Sequence, residues 1–201
     1  MIAIIDYGVG NLFSISASLT KLNIEHIITS DIEAINSATH LILPGVGAFS
    51  DAMMQLKKTG LDKVVIQMAD KKPILGICLG MQLLFDRSFE FGVCEGLGLI
   101  LGEVVPIKNS VKDELKVPHM GWNKLVKKNN SKILKYIGDN DYVYFVHSFY
   151  VKTEDKFISS ISEYDIDITA SVEHKNIYGT QFHPEKSGSV GLSILKAFYE
   201  I

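Results

Sequence analysis

Short apolar runs alternate with helical repeats along the first part of the chain. Residues Ile2–Ile5 form a compact, β-branched run that Asp6 interrupts, which predicts a buried strand. Gly8 and Gly10 mark a turn, and Asn11 is placed to cap a following helix. Leu12, Ile15, Leu19 and Leu22 then recur at helical spacing. Residues 24–28 predict a second strand, and residues 41–43 a third that stops at Pro44-Gly45. Phe49, Ala52, Met53 and Leu56 share one face of another helix. Residues 74–77 predict a fourth strand, with a helix over 79–85 behind it. Such alternation implies a mostly parallel sheet covered by helices on both faces.

The pattern changes in the second half. Apolar runs at 104–107, 142–146, 157–161, 168–172 and 177–181 follow one another with few helical repeats between them. They predict antiparallel strands added to the sheet. An amphipathic helix over 190–199 closes the chain. The polar stretches 108–116 and 127–135 read as exposed loops, not as domain linkers. The expected class is therefore α/β, a three-layer sandwich, with residues 1–201 in one domain.

Composition narrows the chemistry. A net charge of −3 argues against a general nucleic-acid binder. Arg87 is the sole arginine, so bidentate arginine clamps for phosphate are nearly absent. No apolar run approaches the ~18 residues of a membrane span. The two cysteines, Cys78 and Cys94, come without a secretory signal, which favours free thiols in a reducing cytoplasm.

The segment Ile74-Leu75-Gly76-Ile77-Cys78-Leu79-Gly80-Met81-Gln82 carries the strongest chemical signal. A strand runs into Gly76, a helix starts near Leu79, and Cys78 stands in a Gly-x-Cys-x-Gly frame. This is the pattern of a nucleophile elbow, in which a sharp strand-to-helix turn projects a side chain from the sheet. Glycines at 76 and 80 leave room for the turn and for a substrate. A helix N-terminus beside the sulfur would stabilise a thiolate, and its free N–H groups could hold an oxyanion. A lone cysteine is more often a core residue; the glycine frame reverses that preference for Cys78 and leaves Cys94 structural.

A thiol nucleophile needs a base, and the base needs an orienting group. Of six histidines, His183 stands out in Gln181-Phe182-His183-Pro184-Glu185. Pro184 biases His183 toward an extended backbone, where residues i and i+2 point the same way. Glu185 could then reach the imidazole. Spacing alone leaves this reading level with that of a surface histidine beside a solvated glutamate. His26, His40 and His174 have no comparable context. The chain lacks Cys-x-x-Cys and paired histidines at helical spacing, so a metal site is not expected.

Together these motifs resemble the class I, triad-type glutamine amidotransferases, and the resemblance spans essentially the whole chain. Asp6-Tyr7-Gly8-Val9-Gly10-Asn11, Pro44-Gly45-Val46-Gly47-Ala48-Phe49, Pro118-His119-Met120-Gly121-Trp122-Asn123, Tyr144-Phe145-Val146-His147-Ser148 and Lys186-Ser187 narrow it. They are similar to the family of glutaminase (HisH) subunits of imidazole glycerol phosphate synthase.

The resemblance implies a flavodoxin-like sandwich and the catalytic set Cys78, His183 and Glu185. It implies oxyanion donors at the backbone of Val46 or Gly47 with Leu79. Gln82, Glu90, Ser148 and Phe149 match positions that hold glutamine. From sequence alone these four read first as a surface glutamine, a solvated glutamate and ordinary strand residues. Phe149 departs from the family, where tyrosine is common; a backbone contact would survive that change and a hydroxyl contact would not. Met120, Trp122, Asn123, Tyr144 and Lys186 match a face that docks on a cyclase subunit, HisF, although a core position for Trp122 is equally compatible with the sequence. His119 and His147 are expected to be structural or interface-supporting. No cofactor is implied. Three other readings stay open: a paralogue feeding ammonia to a sugar amidotransferase, a non-catalytic subunit that stabilises a synthase, and a cysteine peptidase or small-molecule hydrolase built on the same elbow.

Overall fold

A computed structural model describes residues 1–112 and 114–201. Its elements run β1 (Ile2–Ile5), α1 (Leu12–Lys21), β2 (His26–Thr29), α2 (Ile32–Ser37), β3 (His40–Leu43), α3 (Phe49–Thr59), α4 (Leu61–Met68), β4 (Ile74–Ile77) and α5 (Leu79–Leu83). The second half runs β5 (Phe85–Ser88), β6 (Cys94–Glu95), β7 (Ile100–Pro106), β8 (His119–Lys124), β9 (Val126–Lys127), β10 (Tyr142–His147), β11 (Phe149–Thr153), β12 (Ile158–Tyr164), β13 (Ile166–His174), β14 (Ile177–Thr180) and α6 (Gly188–Tyr199).

The main sheet has the order β2-β1-β3-β4-β14-β13-β12-β9. β2, β1, β3, β4 and β14 are parallel, while β13, β12 and β9 continue antiparallel. Alternate residues of the parallel strands feed two cores. Ala3, Ile5, Leu41, Leu43 and Ile74 pack with α3 and α4 on one face. Ile2, Ile4, Ile42, Leu75 and Ile77 pack with α1 and α6 on the other. Each such Ile or Leu contributes roughly 1.5–3 kcal/mol by leaving water, so both faces need their helical cover.

The parallel half follows the expected pattern, with small shifts. β2 starts at His26 and, as an edge strand, is only half-buried. Asn11 occupies the N-cap of α1 but its side chain caps nothing, whereas Asp31 accepts a 2.8 Å hydrogen bond from Ala34 N at the start of α2. The expected helix over 79–85 ends at Leu83, because Phe85 enters β5. Helices α2 and α4 and strands β5, β6, β8, β9 and β11 escaped the sequence reading.

The second half departs further. Only part of it extends the main sheet. β10 pairs with β8 in a separate ribbon, and β11-β7-β5-β6 form a third sheet. β10 alternates exposed or half-buried with buried positions, so one face meets core and the other water. β14 joins parallel to β4, since all of Ile177, Tyr178, Gly179 and Thr180 are buried and suit a central strand. The stretch 127–135 is not wholly loop: Lys127 pairs with Ser160, and Ile133 and Leu134 are buried in a 3-10 turn. In 108–116, position 113 lies outside the described residues. Among the described residues no helix is long and apolar enough to cross a membrane.

Candidate active site

β4 ends at Ile77 and α5 begins at Leu79. Between them Cys78 adopts φ 54°, ψ −111°, a conformation that L residues avoid and that persists only where the surroundings over-determine it. Here they do. Cys78 N donates a 2.7 Å hydrogen bond to Thr180 O of the neighbouring strand. A side chain on Gly80 would collide with the backbone of Leu43, and one on Gly76 would come within 2.6 Å of Gly80 O. The two glycines therefore let α5 press onto β3 and β4; they make room for the turn, as expected, but the space beside them is filled by backbone and not left for a substrate.

The segment 44–47 lies against the same helix. A Cβ on Gly45 would sit 2.6 Å from Gly80 N, and one on Gly10 would sit 2.8 Å from Pro44 Cβ. Tyr7 is buried and donates a 2.6 Å hydrogen bond to Pro44 O. Burial, then the charge of Cys78, push its phenol well above the usual tyrosine range. The Asp6–Asn11 turn thus braces the Pro44–Gly47 strip. That strip reaches the rim at Val46, which is 41% exposed, and at Gly47, whose φ is +90°.

His183 has φ −97° and ψ 100°, the extended geometry expected before proline. The chain does not stay extended. Residues Pro184–Lys186 curl into a 3-10 turn. That turn, rather than strand alternation, brings Glu185 back to the imidazole. His183 Nδ1 lies 2.8 Å from Glu185 Oε1, and the two side chains are 2% and 1% exposed. With Nδ1–H donated to the carboxylate, Nε2 is left for the cavity. Burial depresses the imidazole pKa, but Cys78 and Glu185 outweigh it and raise it to about 9. At neutral pH His183 is then an imidazolium beside the sulfur. Sγ accepts from Gln181 Nε2 at 3.7 Å, lies 4.0 Å from Val146 O, and also interacts with the His183 side chain.

These groups border a cavity of about 330 Å³ lined by Val46, Gly47, Cys78, Leu79, Gln82, Glu90, Pro118, Val146, His147, Ser148, Phe149, His183 and Lys186. It collects the residues expected for catalysis, for the oxyanion and for glutamine, other than Glu185, which lies behind His183; of the expected docking residues only Lys186 lines it. Pro118, Val146 and His147 also line it; they stand in motifs quoted above but were assigned no place in the glutamine site, and the same holds for Tyr7 and Gln181 in the layer beneath. Gln82 is buried, and its Nε2 donates to Phe149 O (3.1 Å) and Gln181 Oε1 (3.0 Å). Glu90 accepts the Phe49 N–H at 2.7 Å, a charge at the N-terminus of α3. Cys94 sits half-buried on β6, away from this cavity.

Beside the cavity, β8 and β10 present an apolar outer face. Met120 is 61% and Trp122 57% exposed. The Trp122 and Tyr144 rings stand edge to face at 6.1 Å, and Lys186 Nζ lies 5.9 Å from the Tyr144 ring. Trp122 is thus a surface residue. Asn123 is half-buried, with its amide turned inward to Glu163 O at 2.8 Å.

Known proteins place this geometry. Residues 3–201 match the family described as glutamine amidotransferase class-I. An imidazole glycerol phosphate synthase subunit HisH from Geobacillus sp. (strain WCH70) is 51% identical, over 100% of this chain and 97% of that protein. The HisH subunit of Caldanaerobacter subterraneus subsp. tengcongensis is 49% identical, over 100% and 98%. Among solved structures, a glutamine amidotransferase superposes with a TM-score of 0.77 over 100% of this chain and 98% of its own, at 15% identity. The structure of PurLQS from Thermotoga maritima gives 0.73 over 99% and 97%, at 17% identity; these two speak to the fold alone. The chain belongs to the class-I glutamine amidotransferase family, and within it to the HisH subunits.

Proposed function

We propose that this chain, acting as one amidotransferase domain over residues 1–201, hydrolyses glutamine and passes the ammonia to a cyclase subunit, HisF, in histidine biosynthesis. The observation that carries the chemistry is the strained Cys78 beside an imidazole that Glu185 holds at 2.8 Å. The Cys78 thiolate attacks the glutamine side-chain carbonyl carbon. Backbone N–H groups of Leu79 and of Val46 or Gly47 hold the oxyanion. The C–N bond breaks as His183 gives its proton to the departing nitrogen, leaving ammonia and a γ-glutamyl thioester. Water then attacks the thioester, His183 takes up a water proton, and glutamate leaves, its acid proton lost to solvent, as the thiolate forms again beside the imidazolium. Gln82, Glu90, Ser148 and Phe149 border the substrate, and Phe149 supplies no hydroxyl there.

Ammonia set free in neutral water becomes ammonium and loses its lone pair, so an enclosed delivery path favours a stable complex. Met120, Trp122 and Tyr144 offer the aromatic and Met-rich surface typical of interface cores, with Lys186 and Asn123 at its edge. The phosphates of the cyclase substrate would bind the partner, in keeping with the single arginine here. The relatives described above are imidazole glycerol phosphate synthase subunits, which favours this reading over supply to a sugar amidotransferase. Cys78→Ala and wild type, each assayed with and without the cyclase, test it. Expected are slow glutamine hydrolysis by wild type alone, much faster turnover with the cyclase and its ligand, and none by Cys78→Ala. Equal rates with and without the cyclase would contradict the coupling.

A further inference from the structure

An unbroken run of hydrogen bonds connects the β8–β10 ribbon to the nucleophile. Asn123 Nδ2 meets His119 Nε2 at 3.2 Å, His119 Nδ1 meets His147 Nε2 at 3.0 Å, and His147 Nδ1 meets Phe149 O at 2.8 Å. Phe149 O also accepts from Gln82 Nε2, Gln82 Nε2 donates to Gln181 Oε1, and Gln181 Nε2 donates to Cys78 Sγ. Both histidines are buried, and His147 lines the cavity while His119 does not.

The direction of every bond is fixed by its ends. Asn123 Oδ1 accepts from Lys124 N at 2.8 Å, so its amide orientation is set; its two N–H hydrogens go to Glu163 O and His119 Nε2. His119 Nε2 is therefore an acceptor, and its proton sits on Nδ1. His147 Nε2 must accept that proton's bond, which puts the His147 proton on Nδ1, aimed at the Phe149 carbonyl. At the far end Gln82 spends both amide hydrogens, and Gln181 has only its N–H left for the sulfur. Each donor thus faces an acceptor, and reversing one link would set two donors or two acceptors against each other.

We propose that His119 and His147 are positioning residues: their neutral Nδ1–H tautomers fix the Phe149 carbonyl and, through Gln82 and Gln181, the Cys78 sulfur. This rests on Cys78 being the glutamine nucleophile, while the tautomers themselves do not. The neutral state is consistent with burial, which lowers His119 to about 4 and, against the Phe149 hydrogen bond, His147 to about 3. The tie also joins the ribbon bearing Trp122 to the cavity, so a change in ribbon register would be felt at the sulfur.

The test has two arms on the full chain. Nitrogen-15 NMR of the imidazoles is expected to show Nδ1-protonated neutral tautomers at both histidines, and to show them still in Asn123→Leu, because the Phe149 carbonyl fixes the His147 proton and His147 Nε2 in turn fixes that of His119. Finding His147 protonated on Nε2 in the wild type would overturn the proposal whatever Cys78 does. In the second arm a glutamine-derived diazo-ketone labels Cys78. His147→Leu is expected to lower the maximal labelling rate about 10- to 100-fold, the scale of a 1 Å misplacement, with the half-saturating concentration little changed. His147→Asn, whose amide nitrogen stands where Nδ1 stood, is expected to recover most of the rate. His119→Leu, one link further from the cavity, carries the arm if His147→Leu does not fold. Folded leucine variants that label at the wild-type rate would overturn the proposal. Failure of the wild type to label at Cys78 would count against the glutaminase reading instead, with the tautomers still deciding the hydrogen-bond run.

Discussion

The cavity has two walls built from different material. The elbow wall comes from β3, β4, α5 and the Pro44–Gly47 strip, and it is made by backbone meeting backbone at glycines. The ribbon wall comes from β8, β10 and the turn into β11, and it is made by buried polar side chains tied to one another. His183 and Glu185 stand where the two meet, with His183 N bonded to Tyr144 O of the ribbon at 3.0 Å. A wall of close backbone contacts tolerates almost no added atom. A wall of side-chain hydrogen bonds tolerates substitution as long as each donor keeps an acceptor.

The largest effect is expected at the junction. Glu185→Gln keeps the shape but removes the charge that holds His183, so turnover should fall about 10²- to 10⁴-fold, the range of a lost acid–base contribution. In the same variant the His183 titration midpoint, followed by NMR, should move down from about 9. An unmoved midpoint would mean that Cys78 alone sustains the imidazolium.

The elbow wall breaks next. Gly80→Ala drives a methyl into the Leu43 backbone, where neither partner can move aside. A loss of about 3 kcal/mol in urea-monitored stability is expected, at the upper end for overpacking. A loss under about 1 kcal/mol would show that α5 shifts freely, against the account of a rigid elbow.

The two walls should also answer pH in opposite directions, a smaller effect read as unfolding free energy against pH. His183 has a raised folded pKa, so its contribution is full below its unfolded value of 6.5 and is lost as pH climbs through about 9. His119 and His147 have depressed folded values of about 4 and 3. Their contribution is full above 6.5 and is lost as pH falls toward those values. The acid arm should disappear in His119→Asn/His147→Asn, and the alkaline arm in His183→Gln.

The same contrast explains what the sequence disclosed. Backbone constraints leave local marks: glycines at 45, 76 and 80 stand where a side chain would meet backbone, and Pro44 and Pro184 fix φ, so the elbow and the four strands behind it could be read along the chain. Hydrogen bonds between distant side chains leave none. His119 and His147 lie 28 residues apart, and Gln82 and Gln181 lie 99 apart; nothing in either neighbourhood announces the other. The small sheets were misjudged for a related reason, since the alternating burial of β10 fits a ribbon as well as a sheet strand. The role of Pro184 was read correctly in direction and incompletely in geometry. It extends His183, but the 3-10 turn it opens is what delivers Glu185.

The central claim is that the sulfur at the elbow is the atom that attacks glutamine. Peptide mass spectrometry after exposure to a glutamine-derived diazo-ketone tests it most directly. The adduct is expected on Cys78, slowed by excess glutamine, and missing from Cys78→Ala although Cys94 remains. Labelling of Cys94 instead, or labelling of Cys78 that glutamine does not slow, would contradict the account.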